Sequence, residues 1–242
     1  MSETTLEKRF QDIIAATDES ELVPCIRDVI EGLGGQWFVF VSLHPSDQSD
    51  ERASHRFLIG CKPEWCQLYN ANKWYVTDPC LDYARTNTSP ILGTDLKLRT
   101  AGQREMLAVA AENGFRSGYI IPVHASERGR IGVLYVGSDE DPRVGGPKMS
   151  RNRPLFLGLA LELLNWSSRS LRKEILSKYQ ITEDEVKLAE YVRSGFTAND
   201  IAKELGRSAA TVYSHFRKFN EKIGVTHITA AVKFAEEHDL FS

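Results

Sequence analysis

The chain has 242 residues, 42% of them hydrophobic and 26% charged, with a formal net charge of −3. That length accommodates two domains at the usual size of about 100–200 residues each, and that apolar fraction fills packed cores, which excludes a disordered chain. The near-neutral charge excludes a general polyanion binder, and no apolar run reaches the length of about 18 residues that a spanning helix needs.

Leu6, Phe10, Ile13 and Ile14 mark a first amphipathic helix, and Leu22, Ile26, Val29, Ile30 and Leu33 a second. The opening segment MSETTLEKRFQDII is charged and amphipathic, with neither signal-peptide nor spanning character, so a cytoplasmic location is expected. Strand-like runs follow at 36–43 (QWFVFVSL) and 56–60 (RFLIG), then at 117–125 (SGYIIPVHA) and 130–137 (RIGVLYVG). The last two read as a hairpin whose SERG turn, 126–129, uses Gly129 for a positive φ. Helices are expected at about 63–72, 101–113 and 151–166. DPRVGGP, ending at Pro147, reads as a loop, and its glycines with Lys148 lack the spacing of a phosphate loop. These elements predict an α+β sensor domain over 1–166, an α-β-α sandwich with an antiparallel sheet rather than a doubly wound parallel one.

SSRSLRKEILSKYQ, 167–180, is serine-rich and basic before it turns amphipathic, and a linker is placed at 167–177. Its other reading is the tail of a long helix that continues from Leu155–Trp166 through Leu171 and Ile175. Over 178–242 the pattern is all-helical. Thr182 with Glu185, and Thr197 with Asp200, place a hydroxyl three residues before a carboxylate, the capping-box arrangement of a helix start. Ile201, Ala202 and Leu205 form the apolar face of a short helix that Gly206 ends, and Ser208 caps a third helix at 209–223 whose core face is Val212, Phe216, Phe219 and Ile223.

A short helix, a tight turn and a second helix form a helix-turn-helix unit, which enters a major groove of double-stranded DNA. Tyr213, Ser214, Arg217 and Lys218 are left outward, with Thr211 near the start of the helix. Arg217 is the expected guanine reader, and Lys203, Arg207, Lys218 and Lys222 are expected to neutralise phosphates. Residues 203–222 carry five basic and two acidic side chains, a local +3 that suits one DNA-docking face and a homodimer. The apolar helix at 151–166 is a candidate inter-subunit seam, packing on its own sheet being the other possibility.

Residues 182–232 resemble the C-terminal DNA-binding domain of LuxR-type regulators. The family's threonine and glutamate start, following glycine, IA-x-x-L turn and TV-x-x-H are met by Thr182, Glu185, Gly195, Ile201-Ala202, Leu205, Thr211-Val212 and His215. Asp184, Ala189 and Tyr213 depart from a usual basic residue, leucine and lysine. Upstream, members that sense acyl-homoserine lactones have a tryptophan, a tyrosine four residues later and an Asp-Pro thirteen residues after the tryptophan, and here stand Trp65, Tyr69 and Asp78-Pro79. Gly118 matches the glycine that begins a central strand in the family.

The resemblance implies a small-molecule signal, acyl-homoserine-lactone-like or a variant, and no cofactor. It gives Trp65 an indole N–H for a lactone carbonyl, Asp78 the ligand's amide N–H, and Tyr69 a place in the pocket wall. Cys61 and Gly93 stand where the family commonly has tyrosine and tryptophan, and Tyr135 where it has a small hydroxyl residue, which implies a reshaped cavity for a different ligand or none. The competing class within the fold is therefore a ligand-independent regulator whose pocket no longer binds lactones. A phosphorylated receiver ranks lower, because the run WFVFVSLHPSDQSD offers only loop aspartates. An enzyme ranks last, because neither a nucleophile elbow nor a nucleotide fingerprint is present. Cys25, Cys61, Cys66 and Cys80 form no C-x-x-C pair and the histidines no H-x-x-x-H pattern, so no metal is expected.

Overall fold

The computed structural model describes residues 3–43, 56–125 and 130–241, and the chain divides into two units, Met1–Ser167 and Ser168–Ser242. In the first, α1 (Glu3–Ala15) and α2 (Glu19–Gly32) precede β1 (Trp37–Leu43) and β2 (Arg56–Gly60). Asp18 starts α2 by accepting the Ser20 and Glu21 amides. Next come α3 (Pro63–Ala71), α4 (Pro79–Thr86), β3 (Ile91–Leu92), α5 (Ala101–Ala110), β4 (Ser117–His124), β5 (Ile131–Ser138), α6 (Pro142–Ser150) and α7 (Arg153–Lys178). The five strands form one antiparallel sheet in the order β2-β1-β5-β4-β3.

Side chains alternate across a strand, and here the alternation builds the layers. Phe38, Phe40, Tyr119, Ile121, Leu134 and Val136 face Ile26, Ile30, Phe156, Leu159 and Leu163, so α1, α2 and the start of α7 cover one side. Val39, Val41, Ile120, Val133 and Tyr135 face Leu81, Ala84 and Leu107 of α4 and α5. The result is an α+β sandwich, helices on both sides of an antiparallel sheet. The hairpin pairs from Ser117 with Ser138 to His124 with Ile131. Its turn at 126–129, with Gly129, and the loop aspartates of 44–55 lie outside the described residues.

Four segments differ from expectation. Residues 142–147 are helical, not a loop: Pro142 occupies the first turn, where its missing N–H costs nothing, and Asp141 caps it by accepting the Arg143 amide. Gly145 lets α6 lie against β4, since a Cβ there would sit 2.5 Å from the buried Ser117 Oγ. Gly145→Ala is therefore expected to cost about 1–3 kcal/mol by overpacking, read as a lower denaturation midpoint at unchanged slope. Residues 167–177, placed as a linker, are part of α7, the long-helix reading. Phe156, Leu159, Ala160, Leu163 and Leu164 of α7 are buried in their own sheet's core, which takes the seam's apolar residues except Leu161, 46% exposed. The helix expected over 101–113 ends at Ala110 and continues as a π-turn, Ala111–Phe115, with Gly114 at φ +105°.

In the second unit, α8 (Glu183–Arg193), α9 (Ala198–Glu204), α10 (Ala209–Ile223) and α11 (Ile228–Glu237) follow α7. Both capping boxes form, at Thr182 with Glu185 and at Thr197 with Asp200. Gly206 takes φ +61° after α9, and the Ser208 hydroxyl accepts the Thr211 amide to start α10. Leu188, Ile201, Ala202, Val212 and Phe216 make one core cluster, and Phe219 joins a second with Val186, Ala189 and Ala231. Ile223 is partly buried at the edge of that second cluster.

Candidate functional site

The first unit encloses a cavity of about 260 Å³ between the sheet and helices α3, α4 and α5. Trp65, Tyr69, Asp78, Gly93 and Tyr135 all line it. The spacing of four residues on α3 puts Trp65 and Tyr69 on one face, with ring centroids 5.7 Å apart. Asp78 is positioned by the Asp-Pro pair: Pro79 starts α4, and Asp78 Oδ1 caps it by accepting the Cys80 N–H at 2.8 Å.

Only 4% exposed, Asp78 also accepts the Tyr69 hydroxyl on Oδ2 at 2.8 Å and the Tyr135 hydroxyl on Oδ1 at 3.2 Å. Burial raises its carboxyl above the usual range, against the lowering effect of the Cys80, Tyr69 and Tyr135 hydrogen bonds. The two phenols are pushed upward as well, first by burial and then by Asp78, so both remain donors. With the Leu81 amide, four donors hold one buried carboxyl in the wall of a largely apolar chamber.

Cys61 is a correction: it does not line the cavity, although its neighbour Cys66 does. It stands at the bend just after β2, and its sulfur lies 3.2 Å from that of Cys66. Gly93 leaves space as expected. A Cβ there would meet only the Gly118 backbone, at 3.5 Å or more. Several wall residues escaped the sequence reading. Phe115 tilts against Trp65 at 6.0 Å and Met106 and Ala110 of α5 close that side, while Trp74, outside the lining, stacks on Trp65 at 5.6 Å and backs it. The signal for Trp74 was its aromatic bulk between two recognised positions, and Val39, Val41 and Ile120 were legible as one face of the strand alternation.

In the second unit, α10 exposes Thr211, Tyr213, Arg217 and Lys218, with Ser214 half-buried. Tyr213 is 60% exposed and stands edge-on to Phe216, which holds its ring out from the helix. Arg217 makes an exposed contact of 3.7 Å with Glu221, and Lys203 is exposed on α9. The Thr211 hydroxyl is 2.8 Å from that of Ser208, within the cap.

Two of the expected phosphate-contacting cations are engaged elsewhere. Lys222 donates to Glu185 at 2.6 Å, and Glu185 is 3% exposed, so this ammonium belongs to an interior ion pair and is withdrawn from the DNA-facing set. Arg207 makes two hydrogen bonds to Asp184, 2.8 and 2.9 Å, and His215 Nδ1 lies 3.5 Å from the same carboxylate. The Arg207 guanidinium holds Asp184 below the usual carboxylate range. Asp184, the residue that departs from the family's usual basic one, is thus the counter-ion of Arg207.

A family model described as the autoinducer binding domain matches residues 18–165. A second, described as bacterial regulatory proteins, luxR family, matches residues 179–235. Transcriptional activator protein AhyR of Aeromonas hydrophila is 25% identical over 231 residues, covering 93% of this chain and 87% of that protein. Transcriptional activator protein LuxR of Aliivibrio fischeri is 20% identical over 219 residues, covering 89% and 86%. Escherichia coli SdiA matches with a TM-score of 0.63 at 18% identity, over 99% of this chain and 97% of that one. A second SdiA structure, in complex with octanoyl-rac-glycerol, matches with a TM-score of 0.61 at 18% identity, over 99% and 95%. At that identity the likeness is one of fold.

Proposed function

We propose that this chain, which belongs to the luxR family of bacterial regulatory proteins and carries their autoinducer-binding domain, is a DNA-binding regulator gated by a small amphiphilic signal. It is a transcription regulator and not an enzyme. The observation that carries the ligand reading is the buried Asp78 carboxyl, held by Tyr69 and Tyr135 at the end of the apolar cavity.

The Asp78 carboxyl is met by the Tyr69 and Tyr135 hydroxyls and by the Cys80 and Leu81 amides, so a ligand amide N–H reaches it by sharing or displacing one of these donors. Among the described residues the Trp65 indole N–H has no partner, which suits a ligand carbonyl, and the space at Gly93 admits a bulkier head group than a tryptophan there would. The acyl chain of such a ligand fills the chamber walled by Val39, Ile120 and Met106. An acyl-homoserine lactone fits this description, as does an acylglycerol of the kind bound by SdiA.

The domains act in sequence. Residues 1–166 hold the signal, 167–177 transmit through helical chain, and 178–242 dock on double-stranded DNA, as a homodimer in the cytoplasm that places two α10 helices on successive half-sites. No described helix is long and apolar enough to cross a membrane. Tyr213, Ser214 and Arg217 read bases, while Lys203, Lys218 and Thr211 contact the backbone. Arg217→Ala is expected to weaken specific binding by about 1–3 kcal/mol and relax preference at one base pair. Lys218→Ala instead weakens all sequences alike and lowers the salt slope by about 1. Gel-shift titrations on operator and scrambled duplexes at several salt concentrations separate the two.

One observation favours a ligand-independent regulator: Asp78, Tyr69 and Tyr135 already satisfy one another. A thermal-shift screen against lactones of varied chain length and octanoyl-rac-glycerol decides between the readings. A ligand at a hundredfold excess over its Kd adds about 2.7 kcal/mol, or about 5–10 °C for a domain of this size. No shift with any amphiphile, in protein that binds DNA unaided, establishes the second reading.

A further inference from the structure

We propose that Cys61 and Cys66 form a thiol–disulfide pair that low-molecular-weight disulfides close at the cavity wall. Their sulfurs stand 3.2 Å apart, so a bond of about 2.05 Å needs an approach of only about 1.2 Å. The two residues flank the joint between β2 and α3. Pro63, the first residue of α3, restricts the chain between them and holds the thiols face to face. Neither Cys25, on α2, nor the buried Cys80, at the start of α4, has a sulfur partner among the described residues.

The pair is also placed to be reached and to be read. Both thiols are half-buried rather than sealed in the core, and Cys66 also lines the cavity, which Cys61 does not. Cys66 follows Trp65 in α3, and the same helix carries Tyr69. A bond from Cys66 back to Cys61 ties the first turn of that helix to the end of β2, and the redox state of the pair is thereby built into the wall that holds Trp65 and Tyr69.

The chemistry balances with oxidised glutathione as oxidant. The Cys66 sulfur, as thiolate, attacks one glutathione sulfur, forms a mixed disulfide and releases one reduced glutathione. Cys61 then gives up its proton, attacks the Cys66 sulfur and displaces the second reduced glutathione. Burial and the hydrogen bond with Cys66 push the Cys61 thiol up, which suits it to the second, resolving step rather than the first.

The test is intact-protein and peptide mass spectrometry of the full chain after incubation with oxidised glutathione and rapid alkylation. The expected product is an internal Cys61–Cys66 linkage, lighter by two hydrogens and reopened by dithiothreitol. Cys61→Ser is expected to stall at a glutathione adduct on Cys66, and Cys66→Ser to leave Cys61 reduced. A wild-type protein that keeps both thiols alkylatable, or that stalls at a stable adduct on Cys66, overturns the proposal. Because the readout is covalent, it does not depend on whether the cavity takes an amphiphile.

Discussion

Asp78→Ala is expected to cut sharply the thermal shift produced by a cavity ligand that bonds Asp78 while leaving DNA binding by the unliganded protein intact. The side chain lost is the acceptor that Tyr69, Tyr135 and the Cys80 amide share. A ligand amide that relied on Asp78 is left without a partner, and one unpaired buried polar group costs about 1–3 kcal/mol, about five- to 150-fold in affinity. A full ligand shift in Asp78→Ala protein would remove Asp78 from the binding site.

Asp78→Asn separates charge from hydrogen bonding. Burial raises the Asp78 carboxyl, so the folded chain holds this proton to higher pH than the unfolded chain does. The contribution of Asp78 to stability is therefore fully present below its unfolded pKa and is lost as pH rises through the raised native value. Asparagine keeps an oxygen for the Cys80 amide and carries no charge at any pH. Asp78→Asn is expected to melt higher than wild type at pH 8, with the difference shrinking as the pH is lowered toward 4. Parallel melting curves across that range would contradict the raised carboxyl.

Lys222→Ala is expected to destabilise the second unit rather than to subtract a phosphate contact. Glu185 is 3% exposed, and its Oε2 accepts Lys222 Nζ at 2.6 Å together with the Thr182 amide at 2.8 Å. Removing the lysine leaves a carboxylate buried without its counter-charge, a change that costs about 3–5 kcal/mol in comparable pairs. The lysine side chain is 26% exposed, and entering water places the loss toward the lower end. Even that is a large share of the roughly 5–15 kcal/mol that holds a domain together, and it lowers melting by more than about 10 °C in a unit this small.

The double variant Glu185→Gln with Lys222→Met removes both charges and is expected to recover much of the loss. A Lys222→Ala protein of normal melting temperature whose DNA affinity simply falls with a reduced salt slope would return Lys222 to the phosphate-contacting set.

What was legible in the sequence was whatever acts over a few residues. Thr182 with Glu185 and Thr197 with Asp200 form capping boxes because both partners lie within one helical turn. Trp65 and Tyr69 share a face because they are four residues apart, and Asp78 caps α4 because proline follows it. The apolar runs at 36–43 and 117–125 mark two strands of the sheet, whose faces the packing then assigns. Residues 142–147 are helical against the expected loop for a related reason: proline and glycine break structure locally in isolation, whereas here they serve a first helical turn and a close approach to Ser117.

The chain's own pattern thus determined the helix starts, the strand positions and the two-part architecture, because local hydrogen bonds and side-chain periodicity are written at fixed short spacings, whereas Trp65, Tyr69, Asp78, Gly93 and Tyr135 of the cavity lining were legible only through the family resemblance. The tertiary structure decided who partners whom. Tyr135 reaches Asp78 across 57 positions, Lys222 reaches Glu185 across 37, and Arg207 reaches Asp184 across 23. Cys61 turned from a pocket position to Cys66. Such pairings depend on which elements come together when apolar faces are buried, and a buried charge takes the counter-charge that the packing brings to it.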